Sequence, residues 1–190
     1  MQAHATVARE STSVPTGRVG VWWFLASEIA IFGGAVACYV LFRARYPDWA
    51  DQAARTLGWA GAFNTAVLLT SSLSAVLAHH AAVRGEAVRA SHMLRWTAVG
   101  GLVFLAVKVY EYAHEISAGL VPAQSLFWSF YYLLTGLHAL HVTAGIVALL
   151  AVAASARRGH ALGRVELVAL YWHFVDVVWI FLFPLLYLSS

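Results

Sequence analysis

The stretch ALYWHFVDVVWIFLFP, residues 169–184, decides the fold class of this chain. Apart from His173, Asp176 and Pro184, every side chain in it is aliphatic or aromatic. With its apolar flanks the segment is long enough to cross a hydrocarbon layer, which takes about 20 helical residues. The stretch therefore predicts a membrane-spanning helix that carries two ionisable groups, whose burial must be compensated by other polar groups.

The composition of the whole chain agrees with a membrane protein. Of 190 residues, 61% are hydrophobic and 11% are charged, whereas an ordinary soluble domain is about one-quarter charged. Lipid offers the backbone no hydrogen-bond partner, so helices are favoured. We predict an all-α integral membrane bundle of five transmembrane helices, a single domain over residues 18–190 after a flexible polar tail over residues 1–17. The tail lacks the apolar core of a signal peptide, so we expect the first span to remain in the mature chain. The predicted spans are Val19–Phe42, Leu57–His80, Leu94–Ala113, Leu126–Ala154 and Val165–Leu188.

The basic residues predict the orientation of the bundle. Eight fall on the side of the N-terminus and four on the other side, which places the N-terminus inside and the C-terminus outside. This topology explains the basic excess, and no nucleic-acid partner is expected. The first group is Arg9, Arg18, Arg84, Arg89, Arg95, Arg157, Arg158 and Arg164, and the second is Arg43, Arg45, Arg55 and Lys108.

Small and aromatic side chains predict helix contacts and membrane anchors. Small residues at four-residue spacing allow helices in lipid to approach closely, and tryptophan suits the membrane interface. Cys38, the only cysteine, is expected to be a packing residue. The predicted contact ridges are Ala26, Ala30, Gly34 and Cys38; Thr70, Ser74 and Ala78; and Thr135, Ala139 and Thr143. The predicted anchors are Trp22, Trp23, Trp49, Trp59, Trp96 and Trp128.

Four polar residues lie near the middle of the last two spans. His138 and His141 are in the fourth span, and His173 and Asp176 are in the fifth. Each pair is three residues apart and shares a helix face. We hypothesise that the two faces meet and that the polar groups satisfy one another. A ligand-binding or transport role is the alternative to this structural one.

Glu28 is a separate acidic residue inside the first span. His79 and His80 end the second span on the same side, so a contact with either histidine is geometrically available. An acid within a membrane is by default a functional candidate. We therefore expect Glu28 either to hold a proton or to form a structural pair.

Other acidic residues are expected near the membrane surfaces. Glu111 and Glu115 lie near the outer end of the third span, where water is within reach. Glu166 lies close to Arg157 and Arg158 and forms with them either an ion-pair group or a contact with lipid head groups.

Redox and catalytic sites are poorly represented in the sequence. A haem held by two imidazoles could use His138 or His141 together with His173, so a free-standing haem-binding redox bundle is one alternative. A small transporter with Glu28 and Asp176 as proton carriers is another. The sequence has no spacing typical of a metal site, a phosphate loop or a nucleophile elbow. We predict no catalytic residue and no metal ligand in this chain.

Five ordered motifs give a family resemblance. The chain resembles subunit III of the haem-copper oxidases, the class that includes cytochrome c oxidase. The motifs are SEIAIFGG from Ser27, FNTAVLLTSSLSAVLAHH from Phe63, VYEY from Val109, TGLHALHVTAG from Thr135 and YWHFVDVVWIFLF from Tyr171.

The resemblance implies a non-catalytic subunit of a respiratory terminal oxidase in a bacterial inner membrane. Haem and copper would lie in the partner subunits, with catalytic subunit I as the main partner. This chain would stabilise the catalytic centre, support proton uptake and bind phospholipid. Glu28 matches the buried carboxyl of the first family motif. The other matched positions are His79, His80, His138, His141, Glu166, His173 and Asp176.

The chain departs from the longer family members in its length. Those members have seven helices, and the first two form one arm of a lipid cleft, so the resemblance leaves the cleft in doubt. Five-helix forms are also similar to subunits of quinol oxidases and to an accessory protein of nitric oxide reductase. The sequence leaves the electron donor open.

Overall fold

The computed structural model describes residues 16–46, 48–160 and 162–188, and every regular element in these ranges is a helix. Five of the six helices are long and apolar enough to cross a membrane, which confirms the predicted all-α bundle. Most of the tail expected over residues 1–17, including Arg9, lies outside the described residues. The helices are α1 (Thr16–Arg45), α2 (Trp49–Ala53), α3 (Gly58–Val83), α4 (Ala87–Ser117), α5 (Leu126–Arg157) and α6 (Gly163–Tyr187).

Each spanning helix is longer than the apolar span predicted for it, because the helix ends are set by backbone turns rather than by hydropathy. After α3, Gly85 adopts a φ of 74°, a left-handed conformation that favours glycine. The Glu86 amide then donates to the Ala81 carbonyl at 2.9 Å and the Gly85 amide to the Ala82 carbonyl at 3.0 Å, a Schellman ending. Gly119 and Gly159 follow α4 and α5 with the same sign of φ.

Helices α3, α4, α5 and α6 form the packed core, in which the backbone of each helix runs close to that of two others. Glycines on α4 allow the closest approaches. A Cβ atom on Gly100 would lie 2.5 Å from Ser71 Cβ, and one on Gly101 would lie 2.6 Å from the Trp172 ring. Close approach of two helix backbones supplies the dispersion energy that holds helices together in lipid.

Helix α1 lies at the edge of this core and packs on α5 and α6. Tyr39 fixes its second half, because the ring is fully buried and its hydroxyl donates to the Leu185 carbonyl at 3.0 Å. The ridge predicted to be a helix contact on α1 is exposed at all four positions, so that prediction is wrong within this chain. Cys38 belongs to the ridge and is exposed, not packed. The aromatic and branched residues of α1, not its small ones, face the bundle.

The other two ridges are only partly buried. On α3 and α5, Ala78 and Thr135 are buried, whereas Thr70 and Thr143 at the opposite ends of the ridges are exposed. Each ridge is therefore buried at one end only, because the helices in contact cross at an angle.

The tryptophans fall into two groups. Four are exposed, as anchoring at a membrane interface requires: Trp22, Trp23, Trp59 and Trp96. The predicted anchors Trp49 and Trp128 are instead buried. Trp49 lies on the short helix α2 and its ring is 5.1 Å from that of Tyr39, so α2 packs against α1 and its indole leaves the surface. The Trp128 indole is covered by neighbours on its own helix, Phe127, Tyr131 and Tyr132.

Candidate functional site

A carboxyl and an imidazole meet where α1 crosses α5. Glu28 Oε2 lies 3.0 Å from His141 Nε2, and both side chains are about one-tenth exposed. His141 Nδ1 lies 2.8 Å from the Leu137 carbonyl oxygen. A carbonyl oxygen only accepts, so Nδ1 carries a proton and donates it. The Phe32 ring covers the imidazole edge-on at 5.2 Å. The imidazole orientation is thus fixed by three neighbours.

The proposed contact between Glu28 and His79 or His80 is wrong. Glu28 is twelve residues from the start of α1, about 18 Å along the axis, whereas His79 is four residues from the end of α3, about 6 Å. Moreover, the close contacts of α1 are with α5 and α6. His80 is exposed, and His79 lines a small cavity with Glu166. The sequence placed the histidine pair on the correct side of the bundle but at the wrong depth.

His138 and His141 face different parts of the molecule. His138 is fully buried, and its ring lies 5.3 Å from that of Phe104 and 5.2 Å from that of Trp179. Neither ring nitrogen has a hydrogen-bond partner among the described residues. Three residues turn a helix by 300°, so the two side chains point in directions about 60° apart. One imidazole therefore enters the core while the other reaches α1.

His173 and Asp176 face α3 and not the histidines of α5. His173 Nδ1 lies 2.6 Å from the Ser72 hydroxyl. Asp176 is 3% exposed. The Ser72 hydroxyl is directed to His173, and neither carboxyl oxygen of Asp176 has a hydrogen-bond partner among the described residues. The predicted cluster in which the polar residues of the last two spans satisfy one another is therefore wrong.

A second polar cluster joins α4, α5 and α6. Lys108 Nζ donates to Glu111 Oε2 at 3.0 Å, to the Tyr131 hydroxyl at 3.1 Å and to the Tyr187 hydroxyl at 2.9 Å. The Tyr131 hydroxyl donates to Glu111 Oε1 at 2.8 Å. The ammonium also lies 4.6 Å from the centre of the Tyr112 ring. All three N–H groups of the ammonium donate hydrogen bonds, so one charged side chain links α4, α5 and α6.

The expectation that Glu111 and Glu115 are solvated is wrong, since both are fully buried. Sequence analysis placed Lys108 near a helix end, but α4 continues for nine residues beyond it, about 14 Å. The spacing of Lys108 and Glu111 was the available signal, because oppositely charged residues three apart on a helix can pair. Glu115 Oε1 and Oε2 have no partner in hydrogen-bond geometry among the described residues.

The charged residues at the N-terminal end of α1 form a different pair from the one expected. Glu166 bonds Arg18 at 2.6 Å, not Arg157 or Arg158, because α1 and α6 begin on the same side and lie next to each other. Arg157 and Arg158 are exposed at the end of α5. In the turn before α4, Glu86 bonds Arg84 at 2.8 Å, and this hydrogen bond lowers the pKa of the Glu86 carboxyl below its ordinary value of 4.5.

These polar groups can hold protons and fix helices, and they do not converge on one metal or haem position. In residues 16–46, 48–160 and 162–188, no three histidine, cysteine, aspartate or glutamate side chains come together as a metal site. His141 faces α1, whereas His173 faces α3. The two imidazoles therefore do not flank a common space, as the haem-binding alternative requires.

Comparison with known proteins gives a consistent result. The family model described as Cytochrome c oxidase subunit III matches residues 4–190. The chain is 36% identical over 180 residues to cytochrome c oxidase subunit 3 of Thermostichus vulcanus, covering 90% of this chain and 87% of that protein. It is 38% identical over 177 residues to the subunit of the same name in Synechocystis sp., covering 89% and 74%. It is also 30% identical over 184 residues to a probable quinol oxidase subunit 3 of Staphylococcus haemolyticus, covering 90% and 88%.

Proposed function

The chain belongs to the cytochrome c oxidase subunit III family, and on that premise we propose that it is a non-catalytic subunit of a respiratory haem-copper terminal oxidase. In this proposal the chain binds catalytic subunit I and other oxidase subunits, which hold the haem and copper. Its own polar groups stabilise the assembly and supply protons. The relatives are bacterial, which supports an inner-membrane location, and the arginine distribution supports an N-terminus on the cytoplasmic side.

The observation that carries the proton role is the pair of Glu28 and His141. His141 Nδ1 already donates its proton to the Leu137 carbonyl. The 3.0 Å contact between Nε2 and Glu28 Oε2 therefore requires one further proton, either on the imidazole or on the carboxyl. The two atoms share that proton in both cases. Since His is the side chain suited to proton exchange near neutral pH, the pair can accept a proton and pass it on.

The remaining polar residues have structural roles in this proposal. His173 joins α6 to α3 through its hydrogen bond to Ser72, and the His138 ring packs between the rings of Phe104 and Trp179. Arg157 and Arg158 contact lipid head groups at the cytoplasmic surface, where anionic lipids attract arginine. Glu166 joins them through its pair with Arg18, which brings α1 to the same surface.

Purification of the tagged full chain from its native membrane tests the oxidase assignment. We expect a haem- and copper-containing catalytic subunit to accompany it, and the complex to consume oxygen with reduced cytochrome c as donor. Recovery of the chain alone, or haem bound in stoichiometric amount by the separated chain, would contradict the proposal. A nitric oxide reductase as the accompanying enzyme would contradict it as well.

A quinol oxidase is the second candidate, because probable quinol oxidase subunits also match nine-tenths of the chain. The two candidates differ in the donor alone. Oxygen consumption by the purified complex with a reduced quinol, and not with reduced cytochrome c, would favour the second candidate. The greater identity to the two subunits named for cytochrome c oxidase supports the first.

The proton role is tested with Glu28→Gln in the intact complex. Glutamine keeps the shape and the hydrogen bond to His141 but cannot exchange the proton. We expect normal assembly and a turnover that falls more steeply than that of the parent as the pH rises from 6 to 8, because proton supply then becomes limiting. Ser27→Ala is the matched control, since Ser27 is exposed and bonds only the Phe24 carbonyl. An unchanged pH profile for Glu28→Gln would show that the pair is structural.

A further inference from the structure

The buried cluster on α4 contains two acids and one base. Lys108 is 2% exposed, and Glu111 and Glu115 are fully buried. Spacings of three and four residues place the three side chains on one face of the helix. Among the described residues, Lys108 is the only lysine or arginine that is buried. If both acids were ionised, the cluster would therefore hold an uncompensated negative charge.

Glu111 is the carboxylate that balances Lys108. Its Oε2 accepts from the ammonium at 3.0 Å, and its Oε1 accepts from the Tyr131 hydroxyl at 2.8 Å. The other two N–H groups of the ammonium donate to the hydroxyls of Tyr131 and Tyr187. The Tyr187 hydroxyl donates its own proton to that of Tyr131 at 3.1 Å. These groups therefore leave no donor for Glu115.

The other tyrosines of the cluster also donate their hydroxyl protons elsewhere. Tyr132 donates to the Leu120 carbonyl at 2.9 Å. The Tyr112 hydroxyl lies 2.6 Å from Thr135 Oγ1, and Tyr112 is the donor because Thr135 donates its own proton to a backbone carbonyl of α5. Neither carboxyl oxygen of Glu115 has a hydrogen-bond partner among the described residues.

The two protonation states of Glu115 differ greatly in their cost. A buried carboxylate with neither a cation nor a hydrogen-bond donor loses the whole of its hydration, whereas a neutral carboxyl leaves only hydrogen bonds unmade. The negative charge of Glu111 adds to the first cost, because two carboxyls that share a site do not both ionise readily. The cluster has no net charge when Glu115 carries a proton.

We propose that Glu115 is a proton-binding site, distinct from the pair of Glu28 and His141. Glu115 and Glu111 hold one proton and one negative charge between them, and the proton is on Glu115 while Glu111 accepts from Lys108. Where Glu111 cannot ionise, Glu115 releases its proton and becomes the counter-ion of the lysine. This inference does not depend on the chain being an oxidase subunit.

The site lies close to one end of the bundle. Glu115 is in the last turn of α4, and only two residues, about 3 Å along the axis, separate it from the end of the helix at Ser117. The residues on either side of it, His114 and Ile116, are exposed. The proton therefore has a short route to the aqueous phase at this end and should exchange with it.

Infrared spectroscopy of the purified full chain in detergent tests the proposal, because a neutral carboxyl and a carboxylate absorb at different frequencies. At neutral pH we expect Glu115→Gln to lose the neutral-carboxyl signal of one residue. In the parent, the signal lost in this variant should shift on transfer to D2O. Asp51→Asn is the matched control, because Asp51 is exposed on α2 and is ionised in water, so this variant should keep the parental signal.

Stability measurements cover the case in which Glu115→Gln folds poorly. Glu115→Met should be as stable as the parent, because it replaces a neutral acid without hydrogen bonds by an apolar side chain. Glu111→Gln leaves Glu115 to balance Lys108. The double variant Glu111→Gln, Glu115→Gln leaves the lysine alone, and its folding equilibrium constant should fall about a hundredfold below the product of the two single effects.

Three results would overturn the proposal. A parental neutral-carboxyl signal in Glu115→Gln would show that Glu115 is ionised in the parent. A large loss of stability in Glu115→Met, or a double variant that only combines the two single effects, would show that Glu115 does not replace Glu111 as the counter-ion. A signal that does not shift in D2O would show a proton sealed in the core, with no exchange.

Discussion

Replacing Lys108 with methionine should destabilise the bundle strongly. Lys108 is 2% exposed, and its ammonium contacts Glu111, Tyr131 and Tyr187 on three helices. Methionine fits the space but leaves Glu111 as a buried acid without its cation. Removing one partner of a buried ion pair costs about 3–5 kcal/mol. The folding equilibrium constant should therefore fall by about a thousandfold, because each 1.4 kcal/mol corresponds to a factor of about ten.

The loss can be measured by unfolding the purified chain with increasing SDS in mixed micelles and following the fluorescence of its eight tryptophans. Arg55→Met is the matched control. It removes a cation that is exposed near the same end of the bundle, and its effect should stay within about 0.5 kcal/mol.

The double variant Lys108→Met, Glu111→Leu separates the cost of an orphaned charge from the cost of lost packing. Replacing both members of a buried pair by apolar residues is often neutral or stabilising, so the double variant should recover most of the stability lost in the single one. A single variant within about 1 kcal/mol of the parent, or a double variant no more stable than the single one, would refute the reasoning that this ion pair is buried and mutually compensated.

Three further predictions concern the polar pair on α1, the contact of α3 with α4, and the turn before α4. His141→Asn removes the partner of the buried carboxyl on α1 and should cost about 1–3 kcal/mol, with faster proteolysis of α1, whereas His79→Asn should leave α1 as protected as in the parent. Gly100→Ala brings a Cβ atom within 2.5 Å of a side-chain carbon on α3 and should lower thermal stability by about 1–3 kcal/mol. Gly34→Ala meets open space and should raise stability by up to about 1 kcal/mol; the opposite order would contradict the packing of α3 on α4. The depressed pKa of Glu86 means that its ion pairs stabilise the turn above pH 4.5 and lose this effect as the pH falls further. The protection of the turn's amides, measured as the hydrogen-exchange rate relative to that of an unfolded peptide at the same pH, should therefore fall in acid for the parent and depend less on pH for Glu86→Gln.

The sequence was sufficient to predict the number of spanning helices, because the length of an apolar segment is a local property. It was not sufficient to predict the partner of Glu28. That partner depends on which helices contact α1, and the observed neighbours α5 and α6 are about a hundred residues away in the chain. The expectation of His79 or His80 assumed that consecutive spans pack closely, whereas the close contacts of α1 are with α5 and α6.

The cluster around Lys108 was missed for a different reason. Hydropathy ended the third span at Ala113, so Glu111 and Glu115 were placed near water. The helix in fact continues to Ser117, and the burial of the two acids depends on aromatic residues from α5 and α6 that cover them. Hydropathy assigns a depth to a residue, but it cannot show that tyrosines from two other helices shield a charge at that depth.

The place of α1 in the bundle also has a consequence for biosynthesis. Helix α1 leaves the ribosome well before α5 and α6, the two helices that hold it. Until α5 enters the bilayer, Glu28 lacks its imidazole, and an unpaired acid at mid-membrane costs about 2.5–3.5 kcal/mol on insertion scales. The carboxyl on α1 therefore stays without its imidazole while about 110 further residues are made, at a translation rate of about 5–20 residues per second. The packing of α1 is therefore completed only after α5 and α6 have been made.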